Sequence, residues 1–221
     1  MRAIRQAHGP LFCLKADISK YFASIDHARL KAILRRHIHC DRTLRLLDAI
    51  IDSSPGRPGV GIPLGNLTSQ LFANLYLNEL DRYAKHDLGI RYYIRYMDDF
   101  VVLHHDKAQL QAWRARIEQF LWSALRLTTN SKTQIFPVGP DNGRALDFLG
   151  YRIYPTHRLL RKNSIKRIRY KLRRFKRAIA AGRLTAGDCR PCIQSWCAHA
   201  AHANTWRLRC SLFNISSGAN R

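Results

Sequence analysis

Acidic residues are scarce: 15 Asp and Glu stand against 38 Lys and Arg, giving a formal net charge of +23 over 221 residues. Such an imbalance points to a polyanionic partner, with nucleic acid first among the candidates. Long apolar runs are missing as well. No stretch is long enough to span a bilayer, and neither terminus carries an amphipathic anchor, so the chain is not expected to work at a membrane. The run Leu11-Phe12-Cys13-Leu14 is too short for the core of a secretory signal and is broken by Lys15, so the protein is expected in the cytoplasm. With no secretory signal read, the six cysteines are not expected to form a disulfide framework. The cluster Cys189, Cys192, Cys197, His199 and His202 has zinc-ligand chemistry, but all five fall within one helical segment, so packing is the preferred reading. No internal repeat is present.

A chain that is 46% hydrophobic can bury a substantial core, and the expected architecture is one α+β body followed by a smaller basic helical appendage. Residues 11–18 read as a buried strand with Asp17 near its end. Apolar spacing predicts two helices over 27–52, split near Cys40-Asp41. The Gly- and Pro-rich segment 53–66 is a shaped loop leading into a helix over 68–83, with Leu71, Leu75, Leu77, Leu80 and Tyr83 inward. Residues 92–103 read as a strand pair, 107–125 as an amphipathic helix, and 126–136 and 146–154 as further strands. From 158 to 177 there are eleven basic residues and no acidic one, with Ile165, Ile168, Leu172, Phe175 and Ile179 at spacings of three and four. One face of that helix packs and the other is densely positive. The expected division is 1–157 and 158–221.

Within so basic a chain, Ile94-Arg95-Tyr96-Met97-Asp98-Asp99-Phe100-Val101-Val102-Leu103 sets two adjacent carboxylates between aromatic and β-branched residues. Successive side chains of a strand point to opposite faces, so a tight turn at Met97-Asp98 is needed to bring both to one small volume. Solvated aspartates on an ordinary hairpin would show the same local pattern. Asp17, at the end of another strand, supplies a third carboxylate if the strands share a sheet. Three carboxylates suit two magnesium ions about 3.5–4 Å apart, an arrangement used for in-line displacement at phosphorus. Nucleases and polymerases share it, so the carboxylates alone do not choose between cleavage and synthesis.

The surrounding residues resemble a reverse transcriptase, in order and over roughly 11–215. The segment Leu14-Lys15-Ala16-Asp17-Ile18-Ser19-Lys20-Tyr21-Phe22 is similar to the first catalytic motif of that family, and Tyr96-Met97-Asp98-Asp99 to its best-known motif. Ile62-Pro63-Leu64-Gly65-Asn66-Leu67-Thr68-Ser69-Gln70 resembles the loop and helix start that contact template and nucleotide. Leu127-Thr128-Thr129-Asn130-Ser131-Lys132-Thr133 resembles the later palm motif, and Phe148-Leu149-Gly150-Tyr151 the primer grip. The resemblance implies a polymerase palm with an antiparallel sheet flanked by helices in residues 1–157, and a basic α-helical thumb in 158–221. It implies RNA-directed DNA polymerisation with two Mg2+ ions, for which Mn2+ can substitute. Template RNA, primer, RNA/DNA hybrid and deoxynucleoside triphosphates would be the partners.

Residue by residue, the resemblance makes Asp17, Asp98 and Asp99 the metal-binding catalytic carboxylates and Lys132 a donor of charge or a proton to the leaving pyrophosphate. Ile18, Phe22, Leu64, Gly65 and Gln70 would meet nucleotide or template, with the Phe22 ring excluding a ribose 2′-hydroxyl. Phe148, Leu149 and Gly150 would hold the primer. Lys166, Arg169, Arg173 and Arg177 would track nucleic-acid backbone. Leu64 stands where many relatives carry glutamine, and Ser69-Gln70 closes the loop motif. Both features, with the segment 195–203, resemble the enzymes of diversity-generating retroelements, related to retron and group II intron enzymes. That subgroup implies error-prone cDNA synthesis and a small basic accessory protein. Sixteen residues precede Asp17, so most of the N-terminal fingers is expected to be lacking; the rival expectation is a catalytically incomplete remnant that binds nucleic acid.

Overall fold

The computed structural model describes residues 9–54, 57–63, 65–139 and 143–213. Chain contacts divide between Pro137 and Val138 into two compact units, each taken by itself below.

The larger unit is built on a four-stranded sheet. Strand β1 (Leu11–Asp17) is followed by a single helical turn α1 (Tyr21–Ser24), then α2 (His27–Arg35) and α3 (Asp41–Asp52). Helix α4 (Leu67–Arg82) runs on into a π-helical turn at Tyr83–Asp87, then come β2 (Tyr93–Tyr96), β3 (Asp99–His104), α5 (Lys107–Leu125) and β4 (Gln134–Val138). The strand order is β2-β3-β1-β4, and β3 pairs antiparallel with both β1 and β2. The central strand reads Phe100-Val101-Val102-Leu103, buried throughout, as a strand covered on both faces must be.

Alternation along the strands sorts their side chains into two layers. Leu14, Ala16 and Ile18 join Phe100 and Val102 in the main core, where Phe72, Ala73, Tyr76, Leu77 and Leu80 of α4 and Leu110, Ile117, Leu121 and Leu125 of α5 close over them. Each large side chain fully buried there contributes roughly 1.5–3 kcal/mol. Tyr76 donates from its hydroxyl to the Leu125 carbonyl at 2.7 Å, so its buried polar atom is satisfied.

The smaller unit contains a three-stranded antiparallel sheet, β5 (Leu146–Phe148), β6 (Tyr151–Ile153) and β7 (Arg158–Leu160) in that order. Three helices follow: α6 (Lys162–Ala180), α7 (Ala186–Ala201) and α8 (Trp206–Phe213). Helix α7 opens with a reciprocal capping box between Thr185 and Asp188 and carries Pro191 within its length.

The α+β class with antiparallel sheet is as expected from the sequence. Several local expectations are corrected. Leu71 is 64% exposed, because the buried stripe of α4 runs through 72, 73, 76, 77 and 80 and leaves Leu71 on its outer edge. The strand expected over 126–136 instead begins at Gln134 and runs to Val138, with an isolated bridge between Ile18 and Thr129 before it. The basic helix does not start at 158: Arg158–Leu160 pairs with β6, and charge-rich composition does not register a three-residue strand.

Candidate nucleotidyl-transfer site

The geometry of the carboxylates begins with register. Asp17 and Asp99 are directly opposed on β1 and β3, so their side chains emerge on the same face of the sheet, the face opposite Ala16 and Phe100. Tyr96 pairs with Asp99, which makes Met97-Asp98 a two-residue hairpin turn. Met97 takes a φ of +54°, a left-handed conformation that costs a non-glycine residue roughly 1–2 kcal/mol. Arg95 offsets part of that cost: its Nη1 donates to the Met97 carbonyl at 2.9 Å. The guanidinium also forks onto Asp81 of α4 at 2.8 and 2.6 Å, and the Tyr93 hydroxyl donates to the same carboxylate at 2.7 Å. Burial pushes the Tyr93 phenol up, so it remains a neutral donor.

Asp98 is the perturbed member of the trio. Partial burial raises its carboxyl above the ordinary carboxylate range, the charges of Asp17 and Asp99 raise it further, and a hydrogen bond from its own backbone N–H opposes them. Three acidic groups therefore sense one another in one corner of the sheet. Their oxygen donors suit a hard divalent cation, and such a cation would relieve the mutual repulsion. Among the described residues, no three His, Cys, Asp or Glu side chains are already drawn together as a metal-ligand set.

Asp17 is held by the segment 127–133. The Asn130 backbone N–H donates to the Asp17 carbonyl at 2.7 Å, and its Nδ2 donates to Asp17 Oδ2 at 3.3 Å. The Ser19 N–H donates to the Thr128 carbonyl at 2.9 Å. Lys132, exposed beside them, gives its backbone N–H to Asn130 Oδ1 at 3.1 Å. Ile18 is buried in the core, so its side chain is a packing contact.

Phe22 is half-buried, packed edge-to-face on Tyr21 at 5.6 Å, and the Tyr21 hydroxyl donates to the Ala73 carbonyl of α4. The loop before α4 docks on the same segment. Ile62 N–H donates to Phe22 O at 2.9 Å, Gly61 N–H to Ile25 O at 2.7 Å, and His27 Nε2 lies 2.6 Å from Gly61 O. Gly61 has φ +92°, and a Cβ there would meet the Ala23 carbonyl at 3.3 Å, so this close approach requires glycine. Gly65 and Gln70 are exposed beyond it; Leu64 lies outside the described residues.

In the smaller unit, Phe148 and Tyr151 pair across the turn Leu149-Gly150, where both residues have positive φ, +49° and +87°. Phe148 is buried while Leu149 is exposed at the tip. A Cβ on Gly150 would lie 3.2 Å from His199 Nε2, and His199 Nδ1 lies 2.8 Å from the Tyr151 hydroxyl. Lys166, Arg169, Arg173 and Arg177 are all exposed along one side of α6, while Ile168 is buried on another.

Residues 1–153 match the family profile described as Reverse transcriptase (RNA-dependent DNA polymerase). The chain belongs to the reverse transcriptase family. Protein YkfC of Escherichia coli (strain K12) is 30% identical over 68% of this chain and 47% of its own length, so the chain spans about half of that relative. The fold is similar to apo telomerase from Candida tropicalis truncated from its C-terminal domain, with TM-score 0.56 and 15% identity over 69% of this chain and 36% of that one. It is also similar to Candida albicans telomerase in complex with the TWJ fragment of telomeric RNA, with TM-score 0.55 and 12% identity over 72% of this chain and 32% of that one. Among the described residues, no helix is long and apolar enough to cross a membrane.

Two residues with a place in this site escaped the sequence reading. Asn130 stands 113 positions from the carboxylate it touches, and Arg95, inside the aspartate segment itself, gives no sign in sequence that its partners are Asp81 and Met97.

Proposed function

We propose that this chain carries the catalytic palm and thumb of an RNA-directed DNA polymerase that makes cDNA on an RNA template. The observation that carries the reading is the opposition of Asp17 and Asp99 across one strand pair, with the Asp98 carboxyl in the adjoining turn raised by burial and then by both charges, in a member of this family. In this reading residues 1–157 form the palm and 158–221 the thumb. Asp17, Asp98 and Asp99 hold two Mg2+ ions, or Mn2+ in their place. Held by these carboxylates, such ions would supply Lewis-acid activation of a primer 3′-hydroxyl and charge neutralisation for the triphosphate and departing pyrophosphate.

The protein's own residues do the rest. As the 3′-oxygen joins the α-phosphorus and the bond to pyrophosphate breaks, Lys132 supplies charge or a proton to the leaving group. Phe22 bars a ribose 2′-hydroxyl, and Gly65 and Gln70 meet nucleotide and template. Phe148, Leu149 and Gly150 support the primer, while Lys166, Arg169, Arg173 and Arg177 follow the hybrid backbone. Leu64 lacks the polar contacts a glutamine would make, which favours error-prone copying of the kind used by diversity-generating retroelements. A small basic accessory protein is the partner that subgroup adds.

Primer extension on an RNA template with Mg2+ and deoxynucleotides tests the reading, beside a variant carrying Asp98→Ala and Asp99→Ala. Extension by the parent alone supports it. Extension by neither, with hybrid binding retained, favours a nucleic-acid-binding role without synthesis.

A further inference from the structure

The smaller unit has an open-sided cavity of about 520 Å³ between the start of α6 and the middle of α7. Its wall includes Arg161, Ser164, Arg167 and Lys171 on one side and Ser195 and Trp196 on the other. Arg161 is ion-paired with Asp147. Lys171 Nζ lies 3.5 Å from the Cys192 thiol, a neutral partner, and among the described residues neither Arg167 nor Lys171 forms an ion pair with a carboxylate. The Trp196 indole N–H donates to Ser164 Oγ at 3.1 Å, which fixes the ring at the cavity wall. Ser164, Arg167, Ile168 and Lys171 are spaced by three and four, so they share one face of α6. Lys166, Arg169, Arg173 and Arg177 occupy roughly the opposite side of the same helix.

We propose that this cavity is a binding site for a nucleotide bearing a terminal phosphate, with the phosphate against Arg167 and Lys171 and the base against Trp196. A terminal phosphate carries close to two negative charges and three acceptor oxygens, which two unpaired cations and nearby hydroxyls can meet. The volume lies in the range of small-molecule sites and is too small for a duplex, so the occupant is a free nucleotide or a strand end. The site is separate from the backbone-tracking stripe and does not rest on polymerisation.

Calorimetric titration of the whole chain near physiological salt, with no template or metal, tests this directly. The probes are thymidine 5′-monophosphate, thymidine, and a short oligothymidylate with either a 5′-phosphate or a 5′-hydroxyl. The expected result is binding of thymidine 5′-monophosphate but not thymidine, and tighter binding of the 5′-phosphorylated oligomer than of its 5′-hydroxyl form, weakened about tenfold by the double variant Arg167→Gln, Lys171→Gln and less than about twofold by the charge-matched Arg42→Gln, Arg45→Gln. All four positions are exposed, so folding is not at stake. Ser195→Phe, which narrows the cavity at constant charge, should weaken binding similarly. Equal binding of monophosphate and phosphorylated oligomer assigns the site to free nucleotide; preference for the oligomer assigns it to a strand end. Equal losses in the two double variants, indifference to the phosphate, or no binding at all would overturn the proposal.

Discussion

Arg95 Nη1 donates to the Met97 carbonyl at 2.9 Å while Nη2 lies 2.6 Å from Asp81 Oδ2, so one guanidinium ties the carboxylate turn to helix α4. The Arg95 side chain is only 10% exposed, and removing it leaves Asp81 and the Met97 carbonyl without their charged donor. Arg95→Leu should therefore cost roughly 1–3 kcal/mol of stability. Arg95→Lys should not restore the turn, because an ammonium cannot fork between two acceptors in the same geometry. The double variant Arg95→Leu, Asp81→Leu separates stability from positioning. Its melting temperature should recover towards the parent, since no unpaired charge remains, while primer extension stays low because the Met97 carbonyl is still unheld. Recovery of both together would show that Arg95 serves the fold alone.

Asp98 should stabilise the chain when its charge is removed. Its folded pKa is raised by burial and by Asp17 and Asp99, so the ionised form opposes folding above that raised value. The opposition fades as pH falls, and it is gone below the ordinary carboxylate value of about 3.9. Asp98→Asn is thus expected to melt about 1–2 °C higher than the parent near neutrality, with the gain shrinking as the solution is acidified towards pH 4. Added Mg2+ should raise the melting temperature of the parent more than that of the variant, since a ligand that binds only the folded state stabilises it. Thermal melts with and without Mg2+ at the two pH values check both parts. A lower melting temperature for Asp98→Asn at neutral pH would contradict the electrostatic account.

The parts of this fold that were legible in sequence are those written in local periodicity. Leu14, Ala16 and Ile18 alternate with Lys15 and Asp17, which fixes the face on which Asp17 emerges, whereas Phe100-Val101-Val102-Leu103 is apolar throughout and the face of Asp99 follows only from its pairing with Asp17. The buried stripe of α5 likewise follows from Leu110, Ile117 and Leu121. What could not be read depends on segments meeting across the chain. Asn130 reaches Asp17 only because the turn after Leu127 lies beside β1, and no local pattern announces that contact. Leu71 reads as core in sequence because leucine at helical spacing is ambiguous between adjacent faces; only the packing of Phe72 and Tyr76 decides which face turns inward. Strand β7 is three residues long, too short for any period to show.

Gly150 is held by two independent constraints, a φ of +87° and the approach of His199 Nε2 to within 3.2 Å of where a Cβ would sit. Gly150→Ala should cost about 1–3 kcal/mol by backbone strain and by displacing His199 from the Tyr151 hydroxyl. Gly65 offers the comparison. Its φ is +98° but nothing lies within 4 Å of a Cβ there, so Gly65→Ala should carry only the conformational part of the penalty. Denaturant titrations of the two variants give the difference directly. Equal losses would mean that the His199 contact yields without cost.

The stripe Lys166, Arg169, Arg173 and Arg177 should reveal itself through salt rather than sequence preference. Each phosphate contact releases condensed counterions, so log K falls with log[salt] at about 0.9 per contact on duplex DNA and about 0.7 on a single strand. Neutralising all four residues to glutamine should flatten that slope for an RNA/DNA hybrid by about 3, while leaving the rank order of different hybrid sequences unchanged. The four side chains are exposed on α6 and Ile168 on its packed side is untouched, so the helix itself should survive. Fluorescence anisotropy across a salt series measures the slope. An unchanged slope would remove these residues from the interface, and a changed rank order would mean that they read bases rather than backbone.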